Sequence, residues 1–340
     1  MPNMIVAVWK INTKKHASNP DARMAQLTHA VETAWGLMVG MSVGQDVNVV
    51  GETSFHHAKR KDISYLFVAP EYLFTAKDSH FMSEGSKELI RAQLVFLSLR
   101  FPDLLIIPGS VGWFKTSSRS GVTIFRKQTR LKSTSRDMSK YVDKYGRSIN
   151  AVPDYSFAPS YLKEKFYDKP VRELNERKAI NIDRYVVGLE KAPDTARVAK
   201  NTCFVLKSAS VIHRYDKVFE ADDSSDTDLT KVDLVEPILF MPGEGSPVFE
   251  SNNISYGLEL CVDHNFAALK IWVNKIKKAV VDIQIIMSAS TGLEESHLVA
   301  RKYVIQADSD SGAYVRSAKS DDPIERAAAS GDVEIYNLDW

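Results

Sequence analysis

Ser255-Tyr256-Gly257-Leu258-Glu259-Leu260-Cys261-Val262-Asp263-His264 reads as a strand that leaves the core and stops on a cysteine. Tyr256, Leu258 and Leu260 supply the period-2 apolar face of a half-buried strand, and Cys261 falls where the strand gives way to a polar turn. A cysteine at such a tip can point into a cleft, where its thiolate is a nucleophile. Taken alone, the same residue is also read as a small buried hydrophobe.

Phe240-Met241-Pro242-Gly243 and Pro247-Val248-Phe249 precede this strand. After it, residues 266–278 have helical spacing through Leu269, Ile276 and Val280, and Asp282-Ile283-Gln284-Ile285-Ile286-Met287-Ser288 is strand-like. The spacing predicts a helix over 294–304 and strand pieces at 312–315 and 333–336. In the N-terminal third, 5–11 reads as a core strand. Asn19-Pro20-Asp21 starts a helix that places Met24, Leu27, Val31, Ala34 and Met38 on one face. Ile63-Ser64-Tyr65-Leu66-Phe67-Val68 has the near-continuous apolar run of a strand buried on both faces. Pro70 closes it and leaves Glu71 at its tip. A second helix over 86–100 carries Leu89, Gln93 and Phe96 at three-to-four-residue spacing, and Leu104-Leu105-Ile106-Ile107 is the next strand, ending in Pro108-Gly109-Ser110. Strands alternating with helices at this spacing predict an α/β layered fold.

The rhythm breaks over 115–197, which is rich in Lys, Arg, Tyr and Ser and carries Pro153, Pro159, Pro170 and Pro193. It lacks the apolar residues for a core of its own, so the reading is a single domain over 1–340 with an insertion at 115–197. Regular structure resumes with Asn201-Thr202-Cys203-Phe204-Val205-Leu206 and Val211-Ile212-His213-Arg214-Tyr215-Asp216, a hairpin with Lys217 at its exit. The acidic stretch 220–228 lacks the glycine and terminal glutamate of a calcium loop and reads as surface.

Composition narrows the functional classes. Lys plus Arg number 44 against 43 Asp plus Glu, so no overall basic field draws in nucleic acid. The basic, aromatic letters of 115–197 are interspersed with acids and read as solvated surface. The two cysteines, Cys203 and Cys261, exclude a disulfide framework and a Cys-rich zinc site. His56-His57 lacks the i, i+4 spacing of a helical metal site. The chain opens directly on a strand pattern, and no run of 18 apolar residues occurs. The expectation is a cytoplasmic protein in a reducing compartment, with no cofactor, metal or membrane span.

Glu71, Lys217 and Cys261 therefore stand, in chain order, at strand ends. That order and its contexts resemble the nitrilase superfamily of carbon–nitrogen hydrolases. Ala69-Pro70-Glu71 is similar to that family's Pro-Glu, Arg214-Tyr215-Asp216-Lys217-Val218 to its lysine motif, and Gly257-Leu258-Glu259-Leu260-Cys261-Val262-Asp263 to its Gly-x-x-Ile-Cys-x-Asp. Ile107-Pro108-Gly109-Ser110, Asn201-Thr202 and Phe240-Met241-Pro242-Gly243 agree with further family turns, and Glu236 falls where members carry a second glutamate. The resemblance covers 4–115 and 197–315. It departs at the insertion and at His264-Asn265-Phe266, where many members have Arg-Phe-Pro.

The resemblance implies a four-layer α-β-β-α sandwich and a thiol hydrolase of a non-peptide or side-chain amide. Glu71 is then the general base, Lys217 and the Val262 backbone N–H stabilise the oxyanion, and Glu236 fixes the lysine or orients the substrate. It implies a small-molecule amide substrate, no cofactor, and a possible homo-oligomer. Capture of the thioester by another nucleophile makes the chain an acyltransferase, and an idle binding scaffold on the same fold is the reading from a different class. Cys203 lies mid-strand and reads as packing. His264, three residues after Cys261, leaves a Cys-His pair open.

Overall fold

The computed structural model describes residues 3–13, 19–43, 63–75, 81–117, 123–127, 187–191, 196–219, 238–240, 243, 245–275 and 280–339. The strands and helices follow in chain order as β1 (Asn3–Trp9), α1 (Pro20–Val43), β2 (Ile63–Val68), β3 (Met82–Ser83), α2 (Glu84–Arg100), β4 (Leu104–Ile107), β5 (Val111–Ser117), β6 (Thr123–Lys127), β7 (Val187–Lys191), β8 (Ala196–Lys207), β9 (Ser210–Asp216) and β10 (Ile238–Phe240). The remainder are β11 (Val248–Ser251), β12 (Ile254–Leu260), α3 (Val262–Asn265), α4 (Ala268–Lys275), β13 (Ile283–Ser288), β14 (Tyr303–Asp308), β15 (Gly312–Ser317), β16 (Ala328–Ser330) and β17 (Val333–Leu338). They divide into one unit of Met1–Trp113, Asn201–Phe219 and Gly245–Trp340, and another of Phe114–Lys200 and Glu220–Glu244.

The first unit is built on two mixed sheets. One runs β16-β17-β1-β2-β4-β8-β5-β3 with β9 also on β8, and the other runs β11-β12-β13-β14-β15. Each has a parallel centre, β1-β2-β4 in one and β12-β13-β14 in the other, with antiparallel partners such as β17 and β15 outside it. This is the α/β class expected from alternating strands and helices.

Helices α1 and α2 cover one face of the first sheet. Asn19 accepts from the Asp21 N–H at 2.9 Å and Pro20 starts α1, where its missing donor costs nothing. The α1 face of Met24, Leu27, Val31, Ala34 and Met38 is buried with Ile5, Ala7 and Trp9 of β1 and Tyr65 and Phe67 of β2. The alternate residues Met4, Val6, Val8, Leu66 and Val68 are also buried, so the sheet has no wet face and its strands read as continuous apolar runs. On the second sheet, α4 lies so close to β12 that a Cβ at Gly257 would sit 2.5 Å from Leu269 Cδ2. Cys203 on β8 and Met287 on β13 bring their sulfurs to 3.8 Å, where the two sheets meet.

Two expectations change. Helix α2 is capped by Ser83, which accepts from the Ser86 N–H at 3.1 Å, and it buries Ile90, Leu94 and Leu97 rather than the Leu89–Phe96 stripe. Leu89, Phe96 and Leu99 are 68, 66 and 56 % exposed. The helix carries two apolar stripes, and the one in line with Phe101 packs on the sheet. Over 294–304 there is a single 3-10 turn, Glu295–His297, and the chain then straightens into β14. The pairing of Val304 and Ile305 beside Gln284 and Ile285 outweighs helical spacing there.

In the second unit, β6 pairs antiparallel with β7, from Thr123 opposite Lys191 to Lys127 opposite Val187. The short β10 runs parallel to the start of β8, with Ile238 opposite Arg197. Glu236 and most of the stretch 115–197 lie outside the described residues, as does the His56-His57 pair. Among the described residues, no helix is long and apolar enough to cross a membrane.

Candidate functional site

Glu71 is presented by the turn that follows β2. The Ala69 N–H still bonds the Ile107 carbonyl at 2.9 Å, and Pro70 then offers no donor and ends the ladder. The turn is fastened from the neighbouring strand exit: Ser110 Oγ accepts from the Tyr72 N–H at 3.0 Å and the Ser110 carbonyl from the Phe74 N–H at 3.1 Å. Tyr72 has φ 56°, a left-handed conformation held by these bonds. Gly109 has φ +76°, and a Cβ there would fall 2.0 Å from the Pro70 carbonyl oxygen. The Gly-Ser pair is therefore a seat for the Glu71 turn, which accounts for those letters physically.

Lys217 follows β9, whose hairpin with β8 turns through Ser208 and Ala209, both at positive φ. Its N–H bonds the Asn201 carbonyl at 2.8 Å. The next two N–H groups, of Val218 and Phe219, donate to the Asp263 carboxylate at 3.1 and 2.8 Å, and the Tyr215 hydroxyl donates to it at 2.7 Å. Asp263, just after the cysteine, thus ties the lysine loop to the cysteine turn. Burial raises the Asp263 carboxyl to about 7 against the opposing effect of Lys217 and these donors.

Cys261 ends β12 and caps α3 with φ 50° and ψ −108°. Such a backbone costs on the order of 1–3 kcal/mol and persists only where the surroundings over-determine it. Here the Cys261 N–H bonds the Met287 carbonyl at 2.8 Å, and the His264 N–H bonds the Cys261 carbonyl at 2.9 Å. The Val262 N–H is the first of the short helical turn, a position no intrahelical carbonyl can satisfy.

The three strand exits converge. Lys217 Nζ lies 2.6 Å from Glu71 Oε1, with both side chains essentially fully buried at 1 and 0 % exposure. Asn201 Nδ2 donates to the same oxygen at 2.9 Å. Glu71 Oε2 is buried and has no hydrogen-bond partner among the described residues. Cys261 is one of the groups acting on this carboxyl, and its own Sγ lies 2.8 Å from Thr291 Oγ1. Lys217 Nζ also stands over the Tyr72 ring, 5.3 Å from its centroid.

Burial raises the Glu71 carboxyl, against the lowering effect of the Lys217 charge and its hydrogen bond. Burial works to lower Lys217, but the adjacent Glu71 charge outweighs it and raises the amine well above its ordinary value, so it stays an ammonium. Burial first, and then the Glu71 charge, push the Cys261 thiol up to about 12. The resting site holds a neutral thiol beside a carboxylate of raised basicity. Burial alone pushes the Cys203 thiol well above its ordinary value, in keeping with a packing residue. Among the described residues, no cluster of three or more His, Cys, Asp or Glu side chains is arranged to hold a metal ion.

His264 is otherwise engaged. Its Nε2 accepts from the Glu294 N–H at 3.0 Å, so Nδ1 carries the proton and donates to Glu259 Oε2 at 2.7 Å. Glu259 also accepts from Gln284 Nε2 at 2.8 Å and from the Leu269 N–H at 3.0 Å. Both ring nitrogens are used in a fully buried network, which leaves none for a Cys-His pair. The residues that sequence reasoning did not single out for the site are Asn201, Tyr72 and Thr291. Asn201 and Thr291 each sit at or just beyond a strand, where only the folded neighbours give them meaning.

No protein-family model matches the chain, and no curated protein does. Among solved structures, an alanine-for-cysteine mutant of the Nesterenkonia AN1 amidase from the nitrilase superfamily is similar with a TM-score of 0.49 at 10 % identity, covering 99 % of this chain and 91 % of that one. A Saccharomyces cerevisiae member of branch 10 of the nitrilase superfamily is similar with a TM-score of 0.46 at 14 % identity, covering 99 and 90 %. An amidase from Nesterenkonia sp. gives 0.47 at 10 % identity, covering 99 and 90 %.

Proposed function

We propose that this chain is a thiol-dependent carbon–nitrogen hydrolase of the nitrilase kind, acting on a non-peptide or side-chain amide of a small molecule. The observation that carries this reading is the buried Lys217–Glu71 contact at 2.6 Å beside a cysteine held at φ 50° at its strand exit. A buried ion pair is a weak stabiliser, and replacing it with apolar side chains is often neutral or better. Its use next to a free thiol is chemical.

Glu71 takes the Cys261 proton as sulfur attacks the amide carbonyl carbon. The electron pair of the carbonyl moves to oxygen, where the Lys217 ammonium and the Val262 N–H receive the negative charge; one such donor contributes on the order of 3 kcal/mol to the transition state. The C–N bond then breaks and Glu71 returns the proton to the departing amine. Water, deprotonated by Glu71, attacks the thioester; the C–S bond breaks, Glu71 returns the proton to sulfur, and the acid leaves with the thiol restored. The raised basicity of Glu71 suits it to both transfers. Glu236, outside the described residues, is kept as the group that fixes Lys217 or orients the amide. The same thioester passes to an amine or alcohol in an acyltransferase, which an added nucleophile distinguishes by product.

The wider reading is one hydrolase domain in an α-β-β-α arrangement interrupted at 115–197, working in a reducing, cytoplasmic compartment where Cys261 stays free. Incubation with a panel of small amides tests the function. Ammonia or amine is released by the native chain and not by Cys261→Ala, and equal release by both refutes the mechanism.

A further inference from the structure

Cys261 Sγ has a neighbour that the Glu71–Lys217–Cys261 scheme does not use. Thr291, from the loop after β13, places Oγ1 2.8 Å from that sulfur and is itself only 7 % exposed. The loop is held from outside. Asp308, at the end of the adjacent strand β14 and 1 % exposed, accepts through Oδ2 from the Ser288 hydroxyl at 2.6 Å, the Ser290 N–H at 2.8 Å and the Thr291 N–H at 3.3 Å. Through Oδ1 it accepts from the Asp310 and Ser311 N–H groups, both at 2.8 Å. Gln306, two residues earlier on β14, donates to the Thr291 carbonyl at 2.6 Å. Ser290 sits at φ 120°, a conformation that a serine keeps only under such restraint.

We infer that Thr291 is a further catalytic residue, donating its hydroxyl hydrogen to the Cys261 thiolate as it forms, and that Asp308 is the positioning residue that aims it. The inference rests on the hydrolase reading above and extends it from the base and the cation to the third contact of the sulfur. Either group can donate while the sulfur is a thiol. Once Glu71 has taken the proton the sulfur can only accept, and the Thr291 hydroxyl at 2.8 Å is then its side-chain donor, beside the Ala289 backbone N–H. A carboxylate with five donors on its two oxygens has no freedom left, so the hydroxyl is preorganised rather than recruited. Those donors also hold Asp308 below its ordinary range despite burial, so at neutral pH it accepts at both oxygens. The other titratable groups facing the thiol are Glu71 and Lys217, with Tyr72 and Asp263 beside Lys217.

The test needs no substrate: the alkylation rate of Cys261 by iodoacetamide is followed from pH 7 to 10.5 by peptide mass in the native chain and in Thr291→Val, Thr291→Ser and Asp308→Asn. A hydrogen bond to a charged group shifts the thiol by about one pH unit. Thiolate population then falls roughly tenfold while intrinsic nucleophilicity rises in part, so Thr291→Val slows alkylation about threefold at every pH below the midpoint. Thr291→Ser restores the native rate. Asp308→Asn falls between them and loses hydrogen-exchange protection at the Ser290 and Thr291 amides. A reactive Cys261 whose rate is the same in Thr291→Val as in the native chain overturns this inference alone. A native Cys261 that alkylates no faster than the buried Cys203 overturns the hydrolase reading, and this inference falls with it.

Discussion

Replacing Glu71 by Gln separates two effects of one carboxylate. As a charge, Glu71 holds the Cys261 thiol up, second only to burial, while Lys217 pulls it down. As a base, it carries the proton through both halves of the reaction. Two unit charges about 4 Å apart at an effective dielectric of ~20 interact by about 4 kcal/mol, or about three pH units. With part of that field already offset by Lys217, Glu71→Gln lowers the thiol from about 12 by ~1–3 units, and the thiolate fraction that forms is paired with the Lys217 ammonium. The thiolate fraction at pH 8 rises by ~10- to 1000-fold, and the less basic sulfur loses part of that gain, so iodoacetamide alkylation accelerates about 3- to 50-fold. Amide turnover, which needs the proton carrier, falls by 100-fold or more on the usual scale of about 10²–10⁴ for general acid–base catalysis. The assay is the pH profile of alkylation beside ammonia release, with thermal melting as the check on folding. A folded variant that alkylates more slowly at every pH, or one that keeps native turnover, refutes the assignment of Glu71.

Two further perturbations probe the frame. Asp263 has a folded-state value of about 7, raised by burial above the ~3.9 of an unfolded Asp, so the stability it contributes is full below the unfolded value and lost as pH rises through about 7. The native urea midpoint therefore declines between pH 5 and 7.5 more steeply than that of Asp263→Asn, and parallel curves contradict the linkage. His264→Ala strips one partner from the buried Glu259 carboxylate and destabilises by about 2 kcal/mol or more, leaving the Cys261 alkylation rate within twofold of native. A tenfold slower rate in the folded variant would restore a Cys-His pair.

Glu71, Lys217 and Cys261 were legible because each ends a strand whose apolar pattern is local, so reading the strands locates the tips. Their order along the chain did the rest. Thr291 and Asp308 were not legible, since Thr291 takes its role from a contact with Cys261 across 30 residues and Asp308 from a bond to Thr291 across 17 residues and two neighbouring strands. Asn201 could be read as part of a strand, but its amide on Glu71 spans 130 residues. Helix α2 shows the limit of periodicity, because a helix with two apolar stripes does not say which one faces the sheet. The helical spacing over 294–304 yielded to strand pairing, which no local count contains. His264 looked closest to the cysteine in sequence and is committed instead to Glu259 and the Glu294 N–H.

The proposed hydrolysis requires that an amide acylate Cys261. Intact-mass analysis of the native chain and of Cys261→Ala, quenched in acid during turnover of the best amide of the panel, tests it most directly. A thioester adduct of the acyl mass is expected on Cys261 of the native chain, discharged by hydroxylamine and absent from Cys261→Ala together with ammonia release. Undiminished ammonia release by Cys261→Ala contradicts it.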